Sequence, residues 1–381
     1  MHPNRIQQAG RWPVLALIVV LCAAFVSLAA APVRAGDAPQ VKVMSRNLYL
    51  GADLLPVVSA PDLPTLMQRA ATVVNTLHAT DFPTRAKALA KEIDDEDPWL
   101  VGLQEASIWS RGPLGGPATT EVYDFLDLLL QQLSKRGLHY EVVVKQKNFD
   151  AEVPTALGYD IRLTQQNAIL ARTDLPAGKL QLSNPMKAVY AVNTPIDLLG
   201  TQIFDTRGWV SVDAKVSGST IRFIDTHLDS YVPAVRQAQI AELLTGPANT
   251  GRKVVLVGDL NAEPQSNVID QVRAAGLKDN WLIAGKGAGP TCCQPEKLKN
   301  KKSSLDRRID YVFTDAGLQV RKTKRVGHET SDRVGGLWPS DHAGVVSTFI
   351  PSPPPLLRAG VQPGAKRQVS PREPVAAMLE R

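Results

Sequence analysis

A mixed-sheet α/β sandwich is the fold this sequence predicts, and three observations carry it. Short apolar runs rich in β-formers alternate with segments whose apolar residues recur at helical spacing. Some neighbouring runs are close enough to pair as hairpins, notably Trp209–Val216 with Ile221–Asp225, which a purely parallel sheet would not contain. Hydrophobic residues make up 44% of the chain but aromatics only 6%, so the core should be mostly aliphatic.

Taken in order, Val41–Asn47 reads as a short strand. Pro64–Thr80 and Pro83–Asp95 read as helices, with Thr84 and acidic or small residues near their starts. Pro98–Gln104 is apolar and short enough for a buried strand. Arg111–Ala118 is a Gly/Pro loop, and Val122–Lys135 has helical spacing that Gly137 stops. Tyr140–Lys145 and Ala168–Arg172 read as strands, and Ile221–Asp225 and Val254–Gly258 as the clearest buried ones. Pro233–Leu244 is the helix between those two, and Asn267–Ala275 follows the second. Ile309–Phe313 and Ala343–Phe349 close the sheet.

With 381 residues the chain can hold one large domain or two small ones. At the N-terminus, Arg5 and Arg11 precede an apolar run from Val14 to about Ala31, and Val33-Arg34-Ala35 offers small residues for cleavage before Gly36. This predicts a signal peptide over residues 1–35, and a secreted or periplasmic protein with no membrane span after cleavage; an uncleaved membrane anchor is the alternative. Those residues hold three arginines and no acid, so the formal +6 falls to +3 in the mature chain. That mild excess permits an anionic partner without demanding one. Residues 37–350 form the expected domain, and the Pro-rich, weakly basic tail over 351–381 has too little apolar pattern to fold.

Cys22 leaves with the signal, and Cys292 and Cys293 remain side by side. A structural staple is not expected of neighbours; a vicinal disulfide, two free thiols and a bridge to a second chain stay open. The two cysteines are too few for a soft-metal site.

Chemistry concentrates at the ends of the apolar runs. Asn47 and Glu105 suit a hard divalent cation, which takes carboxylate and amide oxygens, and Asp341 could join them. Taken alone, each is as readily a solvated strand-end residue. In Gly258-Asp259-Leu260-Asn261 an acid and an amide emerge two apart, on the same side, after a buried strand; the alternative is an Asx turn. His227 follows Asp225 after the Ile221–Ile224 run, a setting that is often structural. His342 lies beside Asp341 with Asp310 upstream, and a histidine paired with a carboxylate can hold a proton or act as a base. His78, His139 and His328 have no such company. No P-loop, His-Glu-x-x-His helix or Gly-x-Ser-x-Gly elbow is present.

Together the segments Arg46-Asn47-Leu48, Leu103-Gln104-Glu105, Asp225-Thr226-His227-Leu228, Gly258-Asp259-Leu260-Asn261, Arg308-Ile309-Asp310-Tyr311 and Ser340-Asp341-His342 resemble the endonuclease/exonuclease/phosphatase superfamily, from about Val41 to Phe349. The resemblance implies an α/β fold, a four-layer α-β-β-α sandwich of two packed mixed sheets with helices outside. It implies a phosphodiesterase that attacks phosphorus with water in line, using Mg²⁺ (or Mn²⁺ or Ca²⁺). By the same resemblance Asn47, Glu105 and Asp341 are metal residues, and His227, Asp259, Asn261, Asp310 and His342 are catalytic. Asn167 matches the family's Asn-Ala-Ile-Leu strand, with a substrate role for it less specified. From Lys286 to Arg308 seven basic residues face Glu296 and Asp306, so Arg307 and Arg308 are expected at the substrate; a solvated surface loop is the alternative reading. The substrate expected first is nucleic acid. A lipid (sphingomyelinase-like) or small-molecule phosphoester is the second expectation, and a non-catalytic binding protein on the same fold the third.

Overall fold

A computed structural model describes residues 40–216 and 218–351 of the chain. The expected signal peptide and all of the expected tail beyond Pro351 lie outside the described residues. Two mixed sheets pack face to face. The first runs from edge to edge as Leu318–Val326, Gly344–Pro351, Val41–Asn47, Leu100–Gln104, Tyr159–Arg172, Ile108–Pro113 and Thr120–Asp124, with Tyr140–Pro154 also paired to Tyr159–Arg172. The second runs Leu277–Asp279, Asp310–Asp315, Lys253–Asp259, Ser219–His227, Gly208–Val216, Leu180–Val189. A separate ribbon pairs Thr194–Leu198 with Thr201–Asp205.

Both sheets are mixed for the same reason. Val41–Asn47 runs parallel to Leu100–Gln104, and Ser219–His227 parallel to Lys253–Asp259, each pair joined through helices, while the remaining pairs are antiparallel. Period-2 alternation then sorts the side chains. Val41, Val43, Leu100 and Ile169 point inward to meet Val210, Phe223, Val255 and Val257 between the sheets. Met44, Val101, Leu103 and Leu170 point outward to the helices Leu63–Ala79, Phe82–Glu96 and Phe125–Lys135. On the far side Ile224, Leu256 and Phe313 meet Pro233–Thr245 and Asn267–Ala274. Three apolar interfaces make four layers.

Several elements differ from expectation. Val122 belongs to the strand Thr120–Asp124, and the helix begins only at Phe125, because Asp124 caps it: its Oδ1 accepts from the backbone N–H of Leu126 at 2.9 Å and of Asp127 at 3.0 Å. Arg111–Pro113 completes a strand rather than a loop. The hairpin Tyr140–Pro154 with Tyr159–Arg172 is far longer than its apolar residues suggest, and Leu180–Val189 is a strand with no apolar run at all. Tyr140–Pro154 and Leu180–Val189 are half-exposed, so polar residues occupy their outer faces.

One buried cluster ties the sheets together. Asp225, on the second sheet, accepts hydrogen bonds from Gln104 Nε2 and from Asn167 Nδ2, both on the first. Asn148 Nδ2 in turn donates to Asn167 Oδ1 at 2.7 Å. Burial pushes the Asp225 carboxyl well above the usual range. Gly102 makes this approach feasible, since a Cβ there would lie 2.6 Å from Asp225 Oδ1 and 2.5 Å from Val257. A second buried pair holds a helix to the first sheet: Arg46 meets Glu92 at 2.9 Å through two nitrogens, and its Nη1 donates to the backbone oxygen of His342. Burial lifts Glu92 to about 7 although Arg46 opposes the shift.

Asp225→Ala removes the acceptor of two buried amides, and urea denaturation should show a loss of about 2–4 kcal/mol, the cost of orphaning such groups; a loss below half a kcal/mol would mean the amides find other partners. Glu92 is protonated more readily in the folded chain than in the unfolded one. Its contribution is therefore complete below pH 4.5 and is lost as pH rises toward 7. Over that interval the wild type should lose up to about 3 kcal/mol relative to Glu92→Gln. Parallel stability curves for the two proteins would refute it.

Candidate active site

The strand ends set the site. Asn47 ends its strand and Glu105 follows the neighbouring one, while on the second sheet His227, Asp259 and Asp310 lie side by side in register. Sheet pairing thus puts residues remote in sequence within one side chain's reach. Gly258 lets the last turn of chain pass, since a Cβ on it would meet Thr226 O at 2.0 Å. Three residues at this end, Tyr49, Glu105 and Asn261, have left-handed backbones, with φ of 59°, 55° and 47°. Such conformations are costly away from glycine and re-aim a side chain out of the regular strand direction.

The side chains converge on Asp259 Oδ2. Asn47 Nδ2 donates to it at 3.2 Å and to Glu105 Oε1 at 3.1 Å, so one amide bridges two carboxylates. His227 Nε2 lies 3.5 Å and His342 Nε2 3.8 Å from the same oxygen. His342 Nδ1 contacts Asp310 Oδ2 at 2.8 Å, and its Nε2 lies 3.9 Å from Asp341 Oδ1. Asn261 takes its place through its backbone N–H, which donates to Asp259 Oδ1 at 2.9 Å, and through Nδ2, which donates to Leu228 O at 3.0 Å and lies 3.1 Å from His227 Nε2. The backbone bond from Asn261 to Asp259 Oδ1 is the Asx turn, and both side chains also line the cleft.

Charge in this cluster is shifted by burial and by crowding. Burial, then repulsion from Asp310, raises Asp259 to about 7, although His342 pulls the other way. Asp341 rises to about 6, again chiefly through burial. Burial opposes charge on His342, yet Asp310, Asp341 and Asp259 hold its ring protonated well above the ordinary imidazole range. His227 goes the opposite way: burial, with the cations Arg207 and His342 beside it, keeps it neutral. Two histidines in one cleft thus carry different charge, because one faces acids and the other a guanidinium.

The cleft encloses about 460 Å³. Glu105, His227, Asp259, Asn261, Asp341 and His342 all line it. Asn47 is fully buried beneath the floor, and Asp310 stands behind His342. Asn167 is 1% exposed and faces Asp225, and Arg308 is turned away to meet Asp279 at 2.8 Å. These two correct the expected substrate contacts: each is satisfied by a buried acid, which costs less than leaving it unpaired. Arg307 does line the cleft, close to the sulfurs of Cys292 and Cys293, which are bonded to each other on the same wall. The four lysines between Lys297 and Lys302 are exposed and outside the lining, because Leu298 anchors their loop beneath Trp338.

Arg207 was missed by sequence reasoning. It is 6% exposed, pairs with Asp205 at 2.9 Å, and brings Nη1 to 3.1 Å from both ring nitrogens of His227. Asp205 and Arg207, two apart just before the Gly208–Val216 strand, are a pattern visible in sequence but lost among ordinary surface pairs.

A family model, described as Endonuclease/Exonuclease/phosphatase family, matches residues 73–342. No curated protein matches the chain in sequence. Solved structures share the fold. An endonuclease/exonuclease/phosphatase family protein from Bacteroides thetaiotaomicron is 16% identical, with a TM-score of 0.54 over 82% of this chain and 98% of that one. A mannosyl-6-phosphatase from the same organism is 16% identical, with a TM-score of 0.53 over 81% and 99%. A family protein from Bacteroides vulgatus is 15% identical, with a TM-score of 0.51 over 82% and 98%. The model match, spanning most of the chain and every site segment but the first, is the sequence counterpart of this shared fold: the chain belongs to the endonuclease/exonuclease/phosphatase family, whose members are phosphoester hydrolases.

Proposed function

We propose that the chain is an exported, divalent-cation-dependent phosphoesterase that cleaves its substrate by in-line attack of water on phosphorus. The observation that carries this reading is the convergence of Asn47, His227 and His342 on one oxygen of Asp259, in a cleft that Glu105 and Asp341 also line. Export rests on the sequence of residues 1–35. Among the described residues no helix is long and apolar enough to cross a membrane.

The donor set fits a hard cation. Glu105, Asp259 and Asp341 all line the cleft, and burial first, then neighbouring acids, raise the last two against the pull of His342, so a bound cation would favour their charged forms. Glu105 and Asp341 would hold the ion, with Asn47 beside them; Asn47 now turns its nitrogen to the acids and its oxygen to the backbone N–H of Tyr49. When bound, such an ion neutralises phosphate oxygens and stabilises the leaving group.

The remaining work falls to the chain's own groups. Asp310 orients His342 and keeps its ring charged, so the Nε2 proton is available to a phosphate oxygen and the ring is a poor base. Asp259, near 7, is the better acceptor for the proton of the attacking water. Asn261 and neutral His227 offer hydrogen bonds as charge builds on phosphorus, and Arg207 behind His227 adds a buried positive charge.

The lining favours a compact phosphoester over a nucleic-acid backbone. Asp53, Asp205 and Glu296 stand on the walls against only Arg207 and Arg307, and the exposed lysines lie outside. A polyanion would meet more acid than base there.

His342→Ala should lower hydrolysis of a chromogenic phosphodiester by about 10²- to 10⁴-fold with an unchanged circular dichroism spectrum; activity above a tenth of wild type removes His342 from the mechanism. EDTA should silence the enzyme and Mg²⁺ or Mn²⁺ restore it, on a panel of bis-p-nitrophenyl phosphate, sphingomyelin, plasmid DNA and RNA. In the same buffers the ion should raise the melting temperature of wild type but not of Glu105→Ala. Cation-induced stabilisation that survives Glu105→Ala would place the ion elsewhere, and stabilisation without hydrolysis of any substrate would favour a binding protein.

A further inference from the structure

Beside the polar cleft lies a second cavity of about 50 Å³ whose lining is wholly apolar. Leu54, Val58 and Phe149 line both spaces, so the cavity adjoins the cleft. Its floor follows from strand geometry. Phe149, Ala151 and Val153 alternate along one face of Tyr140–Pro154, and Ala151 and Val153 stand opposite Leu163 and Ile161 in register. Its roof is the ribbon, through Leu198 and Ile203, and the short helix Leu55–Val58 closes one side. Trp109 also lines it, but its indole N–H is taken by Leu50 O at 2.9 Å. No polar side chain faces the space, so water has no partners there and an apolar group has. By the measure in which one water needs about 10–15 Å³, the space takes roughly three to five water-sized groups.

We propose that this slot is a substrate subsite for an alkyl arm carried on the phosphoester, the arm lying on Leu54, Val58 and Phe149 while the phosphate sits at Asp259 and His342. The assignment rests on the phosphoesterase reading above and narrows it to esters with an apolar substituent. Adjacency is what selects this occupant: the slot shares the side chains of Leu54, Val58 and Phe149 with the cleft proposed to hold the phosphate, so one ester can reach both. The apolar wall and the acidic rim act together, since both disfavour a long polyanion and neither hinders a single phosphate with a short hydrocarbon chain. Binding gained here is remote from the reacting atoms and appears in kcat/KM.

The test is a homologous series, methyl to hexyl, of n-alkyl p-nitrophenyl phosphates read by p-nitrophenolate, with n-alkyl phosphate monoesters read by inorganic phosphate. All chains are short enough to stay monomeric. kcat/KM should climb about fourfold per methylene, the transfer free energy of one buried CH₂, and level off when the slot is full. At least a tenfold rise from methyl to hexyl is expected in one of the two series. Ala151→Leu, which fills the slot, should flatten the series while leaving the methyl ester within twofold of wild type. Ile203→Ala, which opens the roof and is the less disruptive change, should lower the hexyl rate alone. A rise below tenfold in both series overturns the subsite, as does a slope that survives in whichever variants fold. Methyl-ester hydrolysis that His342→Ala abolishes shows that the phosphoesterase reading stands even then. Hydrolysis of no ester in either series defeats that reading and the subsite with it.

Discussion

Asp259 is 1% exposed at the end of a central strand, and burial, with Asp310 and Glu105 nearby, raises its affinity for a proton. Gathering these acids out of water is expensive, and each is tolerated only because something positive or hydrogen-bonding meets it. Asn47 donates to two of them, Asp310 has the ring of His342, and Leu50 N–H reaches Glu105 Oε2 at 2.6 Å. The geometry of the whole catalytic end follows from that requirement.

The sandwich beneath is built to hold this arrangement still. Asp225 clamps one sheet to the other through Gln104 and Asn167, one residue from Glu105 and two from His227. Arg46 connects Glu92 in a helix to the backbone of His342, and Arg85 donates to the backbone of Leu48, Tyr49 and Pro339, on either side of Asn47 and Ser340. These three clamps each act within two residues of one that lines the cleft. Apolar packing supplies the layers; the polar clamps supply register between them.

Outside the strand ends, the ribbon Thr194–Asp205, the Cys292–Cys293 wall and the short helix Leu55–Val58 border the cleft, and they bring apolar surface and acids rather than lysines. Function is a property of such a site and its surroundings, not of the fold alone.

Short apolar runs alternating with helical spacing were enough to read a mixed-sheet α/β sandwich and its buried strands, because burial on both faces leaves continuous aliphatic runs such as Val254–Val257, while the two packed sheets in four layers were implied only by the family resemblance. The half-exposed strand Leu180–Val189 and the part of Tyr140–Pro154 beyond Lys145 escaped, since backbone pairing, not side-chain pattern, holds them in the sheet. Short motifs likewise marked Asn47, Glu105, His227, Asp259, Asn261 and His342 one by one. Only the paired strands could decide that Asp259 lies between His227 and Asp310, that Arg207 backs His227, and that Asn167 and Arg308 turn to buried acids instead of the cleft. The reason is distance: a chain's local chemistry is written residue by residue, but which charge neutralises which is settled by contacts between segments dozens to hundreds of residues apart.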